Sequence, residues 1–311
     1  MHQFIFGPVP SRRLGMSLGI DLVPRKVCSL DCVYCEVGTT TKLTTQRMEY
    51  VPYNKVIKEL EEFLEHHVPP DFITFSGYGE PMLNSRAGDV LQYIKTHYPL
   101  LQVAVLTNGT LLHDPQVRKE LMQADLVLPS LDAATENTFR KLNRPAEDMD
   151  VKRHIKGLAD FKKEFQGEMW LEIFILPGYN DNNRDVEELR KAIETIRPDR
   201  VQLNTLDRPG AIQGIRPATE GELNAIKEKL KFPGAEVVAS SATRKTSTAY
   251  RSDTEQAILE TIARRPCTLQ DMREILGLHT NEINKYLDVM EADGKIITEI
   301  GERGTFYRVR Y

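Results

Sequence analysis

The sequence is poor in cysteine, tryptophan and long apolar runs, and each shortage narrows what the chain can be. Four cysteines in 311 residues are too few for a disulfide framework. No uninterrupted apolar run approaches the ~20 residues of a membrane span; the longest, such as Ile173 to Pro177, fit buried strands. The start, Met1-His2-Gln3-Phe4, lacks a basic segment followed by an apolar one, so no export signal is read. A cytoplasmic location is the expectation. Basic residues are not in surplus either: 41 Lys and Arg against 45 Asp and Glu leave a net charge of −4, which gives no support for non-specific nucleic-acid binding. What remains is 41% hydrophobic and 28% charged, the balance of an ordinary globular protein long enough for two domains.

Three of the four cysteines fall within eight residues, Cys28-Ser29-Leu30-Asp31-Cys32-Val33-Tyr34-Cys35. Thiolate is the preferred iron–sulfur ligand, and three thiolates hold three irons of a cubane while leaving the fourth open to a non-protein ligand. An open position is what separates reactive metal sites from structural ones. Two plainer readings compete. A zinc knuckle needs a nearby fourth ligand, and His2, His66 and His67 do not supply a close-spaced pattern. A disulfide is disfavoured by the odd number of cysteines in the cluster.

Along the chain, short apolar runs alternate with amphipathic segments. Strands are expected at 18–23, 72–75, 103–106, 126–128, 170–176 and 201–203. Helices are expected at 53–66, 86–96, from Asp114-Pro115, at 151–165, 183–196 and 220–230. Six βα units with buried-type strands predict an α/β fold. Right-handed crossovers curl such a parallel sheet into a partial (βα)6 TIM-like barrel with its chemistry at the carboxyl ends of the strands. This domain is placed at 1–238. A small, polar stretch, 239–252, reads as a linker or lid. From 253 to 311 the pattern changes to helices ending at Ile262, over 269–276 and over 281–292, then a hairpin of 295–300 with 305–309. That outline resembles a small winged helix-turn-helix domain.

The strand ends carry polar triplets. Ser76-Gly77-Tyr78-Gly79-Glu80-Pro81 follows the second strand, and glycines there let backbone approach a ligand, although they also mark tight turns. Thr107-Asn108-Gly109 and Ser130-Leu131-Asp132 follow the third and fourth; both sit where ligand groups gather, yet Asn-Gly is also a turn signal and Ser or Asp a helix cap. Gly178 to Asp181 and Asn204 are weaker candidates of the same kind. Arg12, Arg13, Arg208 and Arg216 are candidates for holding an anion, against the ordinary role of a solvated arginine. Cys267, between Pro266 and Thr268, reads as a packing residue.

Taken together, the cysteine motif, the Gly-Glu-Pro stretch and the βα order resemble the radical S-adenosylmethionine (SAM) superfamily over about residues 1 to 235. Phe6 to Gly15 and Ser130 to Ala133 are similar to a group of iron–sulfur enzymes related to the tRNA wyosine-base synthases. The resemblance implies a [4Fe-4S] cluster on Cys28, Cys32 and Cys35. It also implies SAM chelated to the open iron, its amino group held by the Gly77-Tyr78-Gly79-Glu80 stretch. This stretch departs from the simple Gly-Gly-Glu form by the inserted Tyr78. The resemblance places Ser130 or Asp132 at the ribose, Asn108 at the methionine end or the substrate, and Tyr34 beside the adenine. It implies reductive cleavage of SAM to a 5′-deoxyadenosyl radical, fed by a one-electron donor such as flavodoxin or ferredoxin. No side chain is assigned a catalytic role; a modified RNA base or a protein is the expected substrate.

The second domain holds eight Lys and Arg against eleven Asp and Glu, a balance of −3. Phosphate binding draws on cationic side chains, so duplex DNA is an unexpected partner, with Asn281, Glu282, Asn284 and Lys285 offering only a mixed recognition face. The other function class is an iron–sulfur sensor or regulator acting through the winged helix. SAM-binding loops favour the enzyme, since a sensor needs only ligated iron.

Overall fold

A computed structural model describes residues 3–11, 13–206, 210–238, 254–276, 283, 286–287, 290–291 and 293–310. Arg12, Arg208, the expected linker 239–252 and the four recognition residues Asn281, Glu282, Asn284 and Lys285 lie outside these.

The chain opens with β1 (Ile5–Ser11), β2 (Gly15–Ile20) and two short strands, β3 (Val27–Cys28) and β4 (Lys42–Leu43). It continues through α1 (Tyr53–His66), β5 (Phe72–Phe75), α2 (Ala87–His97), β6 (Gln102–Thr107), α3 (Pro115–Glu120), β7 (Leu126–Pro129) and the short α4 (Glu136–Thr138). There follow α5 (Val151–Glu164), β8 (Glu168–Phe174), α6 (Asn183–Ile196), β9 (Arg200–Asn204), α7 (Glu220–Leu230) and β10 (Ala235–Val237). Eight strands form one sheet in the order β1-β2-β5-β6-β7-β8-β9-β10. Only β1 runs antiparallel to its neighbour; every other pairing is parallel.

Apolar periodicity explains the layers. In α1 the buried face is Val56, Ile57, Leu60 and Phe63, each worth about 1.5–3 kcal/mol of burial. The central strands are buried on both faces, as β7 is throughout, which a sheet covered by helices requires.

Three differences from the sequence reading have physical causes. The first parallel strand lies at Gly15–Ile20, ahead of the expected 18–23, because Leu22 and Val23 are buried in the connection beyond it. β1 goes unread because Pro8 and Pro10 argue against a strand, yet an edge strand tolerates proline. β10 is three residues of mixed exposure and has no apolar signal to read.

The C-terminal unit has its own core, built on Ile258, Ile262, Cys267, Met272, Ile275, Leu287 and Ile296 among others. Its elements are α8 (Thr254–Arg264), β11 (Cys267–Thr268), α9 (Leu269–Leu276), β12 (Ile296–Gly301) and β13 (Gly304–Val309), and its sheet runs β11-β13-β12. Ile283, Tyr286, Leu287, Met290 and Glu291 are helical.

Arg264 at the end of α8 fixes this unit to the large sheet. It pairs with Asp21 just past β2, donates to the Ile5 carbonyl at 3.4 Å, and lies over the rings of Phe6 and Tyr78 at 4.2 and 5.6 Å. Asp21 is buried and also accepts the Tyr78 N–H at 2.9 Å. Burial raises its pKa to about 6 against the opposing pull of Arg264.

Removing the carboxylate strands the Arg264 charge at the junction, so Asp21→Asn is expected to weaken the docking of the C-terminal unit and to speed hydrogen exchange in α8 and α9. The docked contact needs the carboxylate. It therefore weakens in the wild type as pH falls through about 6, even though global stability gains from relief of the buried charge. Exchange rates of α8 that do not change between pH 7 and pH 5 would contradict this. Cys267 is wholly buried in the C-terminal core; Cys267→Ala should cost about 1 kcal/mol and leave iron content untouched, checked by calorimetry and iron analysis.

Candidate SAM and cluster site

The cysteine loop leaves β3 and is pinned from two sides. Ser29 Oγ meets Thr110 Oγ1 at 2.8 Å and accepts from Asn108 Nδ2 at 2.9 Å. On the other side the Asp31 N–H donates to the Asn143 carbonyl and the Val33 N–H to the Leu142 carbonyl, both at 3.0 Å. Residues Phe139–Asn143 form a π-helical turn, a geometry that recurs at functional sites, and Arg144 closes it in the left-handed region at φ 46°.

Each cysteine sulfur has a nitrogen donor. Asn108 Nδ2 and the Leu30 N–H reach Cys28 Sγ at 3.5 Å, Asn143 Nδ2 reaches Cys32 Sγ at 3.4 Å, and Lys26 Nζ reaches Cys35 Sγ at 2.9 Å. Burial pushes the Cys28 thiol up to about 11 and the Cys32 thiol further, with Asp132 adding to the latter. Lys26 is buried in a left-handed conformation, φ 55°. Burial works against its charge, but the Cys35 and Cys28 sulfurs outweigh it and raise its pKa.

These residues line one cavity of about 160 Å³, with about 620 Å³ of atom-free space when its open mouth is included. Tyr34, Gly77, Tyr78, Gly79, Asn108, Ser130 and Asp132 line it with the three cysteines, so the structure gathers nearly every expected site residue in one place. Lys26, Val37, Asn143 and His154 line it as well and escaped the sequence reading. Lys26 had only its nearness to Cys28 to mark it; Asn143 and His154 sit in helical segments with no motif.

Glu80 is not among the lining residues. Its buried carboxylate accepts from Thr107 Oγ1 and the Asn108 N–H at 2.7 Å and from the Met82 N–H at 3.0 Å. The side chain is a brace that ties the second strand's loop to the third. The glycines are also set by packing: a Cβ on Gly77 would lie 1.2 Å from Asp21 Oδ1, and one on Gly79 2.0 Å from the Val27 carbonyl oxygen. Gly77 has φ +126° in addition.

Asp132 is occupied by the chain itself. It accepts from the Tyr34 hydroxyl, from Asn143 Nδ2 at 2.7 Å and from the Phe174 N–H at 2.8 Å, and burial raises its pKa to about 6. One face of Tyr34 is stacked on Phe174 at 3.8 Å. Asn108 likewise spends its amide on the cysteine loop and its Oδ1 on Thr110.

The weaker candidates go elsewhere. Asn180 holds its own turn through the Phe174 and Asp132 carbonyls, and Asn204 caps Thr205. Of the arginines expected to hold an anion, the two described ones are matched by carboxylates: Arg13 pairs with Glu172, and Arg216 with Glu222 at 2.7 Å.

The donor set fits a cubane. Among the described residues no three His, Cys, Asp or Glu side chains stand close enough to bind a single metal ion, and a cubane does not require it, since each thiolate takes a different iron. Asn143 and His154 line the same cavity; the buried Asn143 Oδ1 and both ring nitrogens of His154 make no hydrogen bond of good geometry within the protein, the Asn108 backbone being the ring's nearest polar neighbour. Burial lowers the His154 pKa to about 4, so the ring is neutral at pH 7.

Comparison with known proteins agrees with this geometry. A model of the radical SAM superfamily matches residues 22–193. A Methanocaldococcus jannaschii protein of the UPF0026 group is 30% identical over 314 residues, which cover 94% of both chains. A Brachyspira hyodysenteriae protein named GTPase Obg is 34% identical over 299 residues, 95% of this chain; the chain spans only 44% of that protein. The crystal structure of a radical SAM methyltransferase from Sphaerobacter thermophilus superposes with a TM-score of 0.57 at 18% identity, over 71% of this chain and 65% of that one, a likeness of fold.

Removing the Lys26 charge disfavours added negative charge on neighbouring sulfur. In the protein reconstituted with iron and sulfide, Lys26→Met is expected to lower the reduction potential by roughly 50–100 mV, read by an EPR-monitored titration. An unmoved potential would mean that the Lys26–Cys35 contact does not act on the site's electronics.

Proposed function

The chain belongs to the radical SAM superfamily, and from this premise we propose that it binds a [4Fe-4S] cluster on Cys28, Cys32 and Cys35 and SAM beside Gly77 to Gly79. When bound, this pair supplies one-electron cleavage of the SAM sulfur–C5′ bond and a 5′-deoxyadenosyl radical able to take a hydrogen atom from a substrate. The observation that carries the reading is the convergence of three donor-supported sulfurs with three strand-end loops on one cavity.

The chain's own residues have definite tasks. Lys26, Asn108 and Asn143 hold the sulfurs and offset their charge. Glu80 fixes the Asn108 loop, while Asp132, through Tyr34 and Asn143, locks the wall opposite. Tyr34, held by its stack on Phe174, and Leu30 give the cavity apolar wall, which helps to keep water from a reactive intermediate. Asn143 Oδ1 and His154 supply the buried polar atoms for which a ligand would be the partner. Ser130 faces the cavity at a strand end where a ribose hydroxyl would be held.

The sheet is read as an incompletely closed barrel and the C-terminal unit as a winged helix. Its charge balance makes a protein or a substrate held by the barrel a better partner than duplex DNA. Electrons would come from a flavodoxin- or ferredoxin-type donor. The regulator reading draws on Arg264, which joins the C-terminal unit to Tyr78 at the cavity wall.

Anaerobic reconstitution and reduction with SAM should release 5′-deoxyadenosine, and alanine at Cys28, Cys32 or Cys35 should reduce this at least 100-fold, with loss of iron. Intact iron and sulfide without any 5′-deoxyadenosine would favour the regulator. Stoichiometric zinc without sulfide would remove both readings.

A further inference from the structure

The C-terminal unit meets the large sheet around a cleft. A cavity of about 320 Å³ lies between them, with Val37 and Gly38 on one side and Arg264, Arg265, Arg308 and Arg310 on the other. Away from it α9 lies beside β1. The end of α8 carries Arg264 to the place where β1, the end of β2 and the glycine loop come together. A Cβ on Gly19 would strike the Phe6 ring, so the missing side chain in β2 is what makes room for Phe6 under the guanidinium.

Two of the partners of Arg264, Asp21 and Tyr78, lead to the cofactor cavity. The glycine loop has little conformation of its own. Gly77 sits at φ +126° and Gly79 follows two residues later, so the backbone there is unusually free. Three hydrogen bonds shape it. The Tyr78 N–H donates to Asp21 Oδ1 at 2.9 Å, the Lys26 N–H to the Tyr78 carbonyl at 3.1 Å, and the Glu80 N–H to the Val27 carbonyl at 3.1 Å. The first is charge-assisted, and its acceptor is a buried carboxylate whose charge is matched by Arg264. The second fixes Lys26, whose Nζ stands 2.9 Å from Cys35 Sγ. Direct contacts thus run from Arg264 through Asp21 and the Tyr78 backbone to Lys26 and the cysteine loop. Tyr78, the residue by which this loop departs from the simple Gly-Gly-Glu form, is also the one whose ring lies under the guanidinium of the C-terminal unit.

We propose that Arg264 is a positioning residue of the SAM site, supplied by the C-terminal unit, and that docking of this unit and binding of SAM favour each other. Without Arg264 the Asp21 carboxylate is buried and unpaired. It then turns to water or takes up a proton, and the Tyr78 N–H loses its charged acceptor. The glycine loop, with two glycines and one hydrogen bond fewer, spreads over more conformations, of which only some present the wall that SAM meets. Linkage makes the effect reciprocal: a ligand that selects the ordered loop also strengthens the docked state by the same factor. The coupling rests on the SAM site proposed above and adds to it the unit that controls its affinity.

The test uses the full-length protein reconstituted with iron and sulfide and left oxidised, so that SAM binds without being cleaved. Calorimetry gives the SAM affinity, and hydrogen exchange read by mass spectrometry follows residues 76–80 and α8. Arg264→Ala should keep its iron and sulfide, bind SAM about tenfold more weakly and exchange faster at 76–80 before any SAM is added. Arg264→Lys keeps the charge but loses the fork that also reaches the Ile5 carbonyl, and should recover part of the affinity. Cys267→Ala loosens the C-terminal core away from the junction and should leave SAM affinity unchanged. In the wild type, SAM should slow exchange in α8; this arm needs no variant and decides the matter if the alanine protein misfolds. Equal SAM affinity and equal exchange at 76–80 in the wild type and Arg264→Ala would overturn the proposal. So would α8 exchange that ignores SAM, or a loss of affinity in Cys267→Ala as large as in Arg264→Ala. The two readings fail differently. A wild type that binds SAM without protecting α8 removes the coupling alone, whereas one with an intact cluster that binds no SAM removes the cofactor site together with its control.

Discussion

The buried carboxylate of Asp21 joins the three parts of the chain that must agree for the cavity to exist. It lies just beyond β2, accepts the N–H of Tyr78 in the glycine loop, and meets Arg264 from the C-terminal unit. Its oxygen fills the space that a side chain at position 77 would need. Such a charge is expensive to bury, and burial does raise its pKa despite the arginine. The arrangement trades stability for position: the loop that walls the cavity is held by a group that also senses whether the C-terminal unit is docked.

Much of the cavity wall is built from polar side chains that already have partners. Glu80 and Asp132 accept from donors on neighbouring loops, Asn180 donates to the Asp132 carbonyl, and together they turn separate strand ends into a rigid rim. Asn108 and Asn143 each use one amide to bind a sulfur and to hold a second element. A preorganised polar frame costs nothing to rearrange when ligands arrive, and this is the usual source of precise positioning.

The cysteine spacing and the strand-end triplets made the location of the site readable, because both depend on local order along the chain. The helices and central strands were readable from periodicity for the same reason. What stayed hidden depends on distance in space. Lys26 and His154 carry no local signature, and Asn143 reaches Cys32 from 111 residues away. The Gly77 to Glu80 motif is legible because it is contiguous, whereas the partner of its carboxylate lies on a loop 27 residues on. Net charge misled in another way: a sum of −3 over the C-terminal unit says nothing of four arginines collected on one side.

The π-helical turn at Phe139–Asn143 fits one more residue into its circuit than an α-helix would. That extra residue sets the phase of everything after it. Deleting one position from the turn would leave composition and apolar pattern almost intact and give a more regular helix, but it would swing the Asn143 side chain by roughly 100° away from Cys32 and Asp132. The fit of this segment is thus a matter of counting. It tolerates many exchanges of one residue for another far better than a change of length.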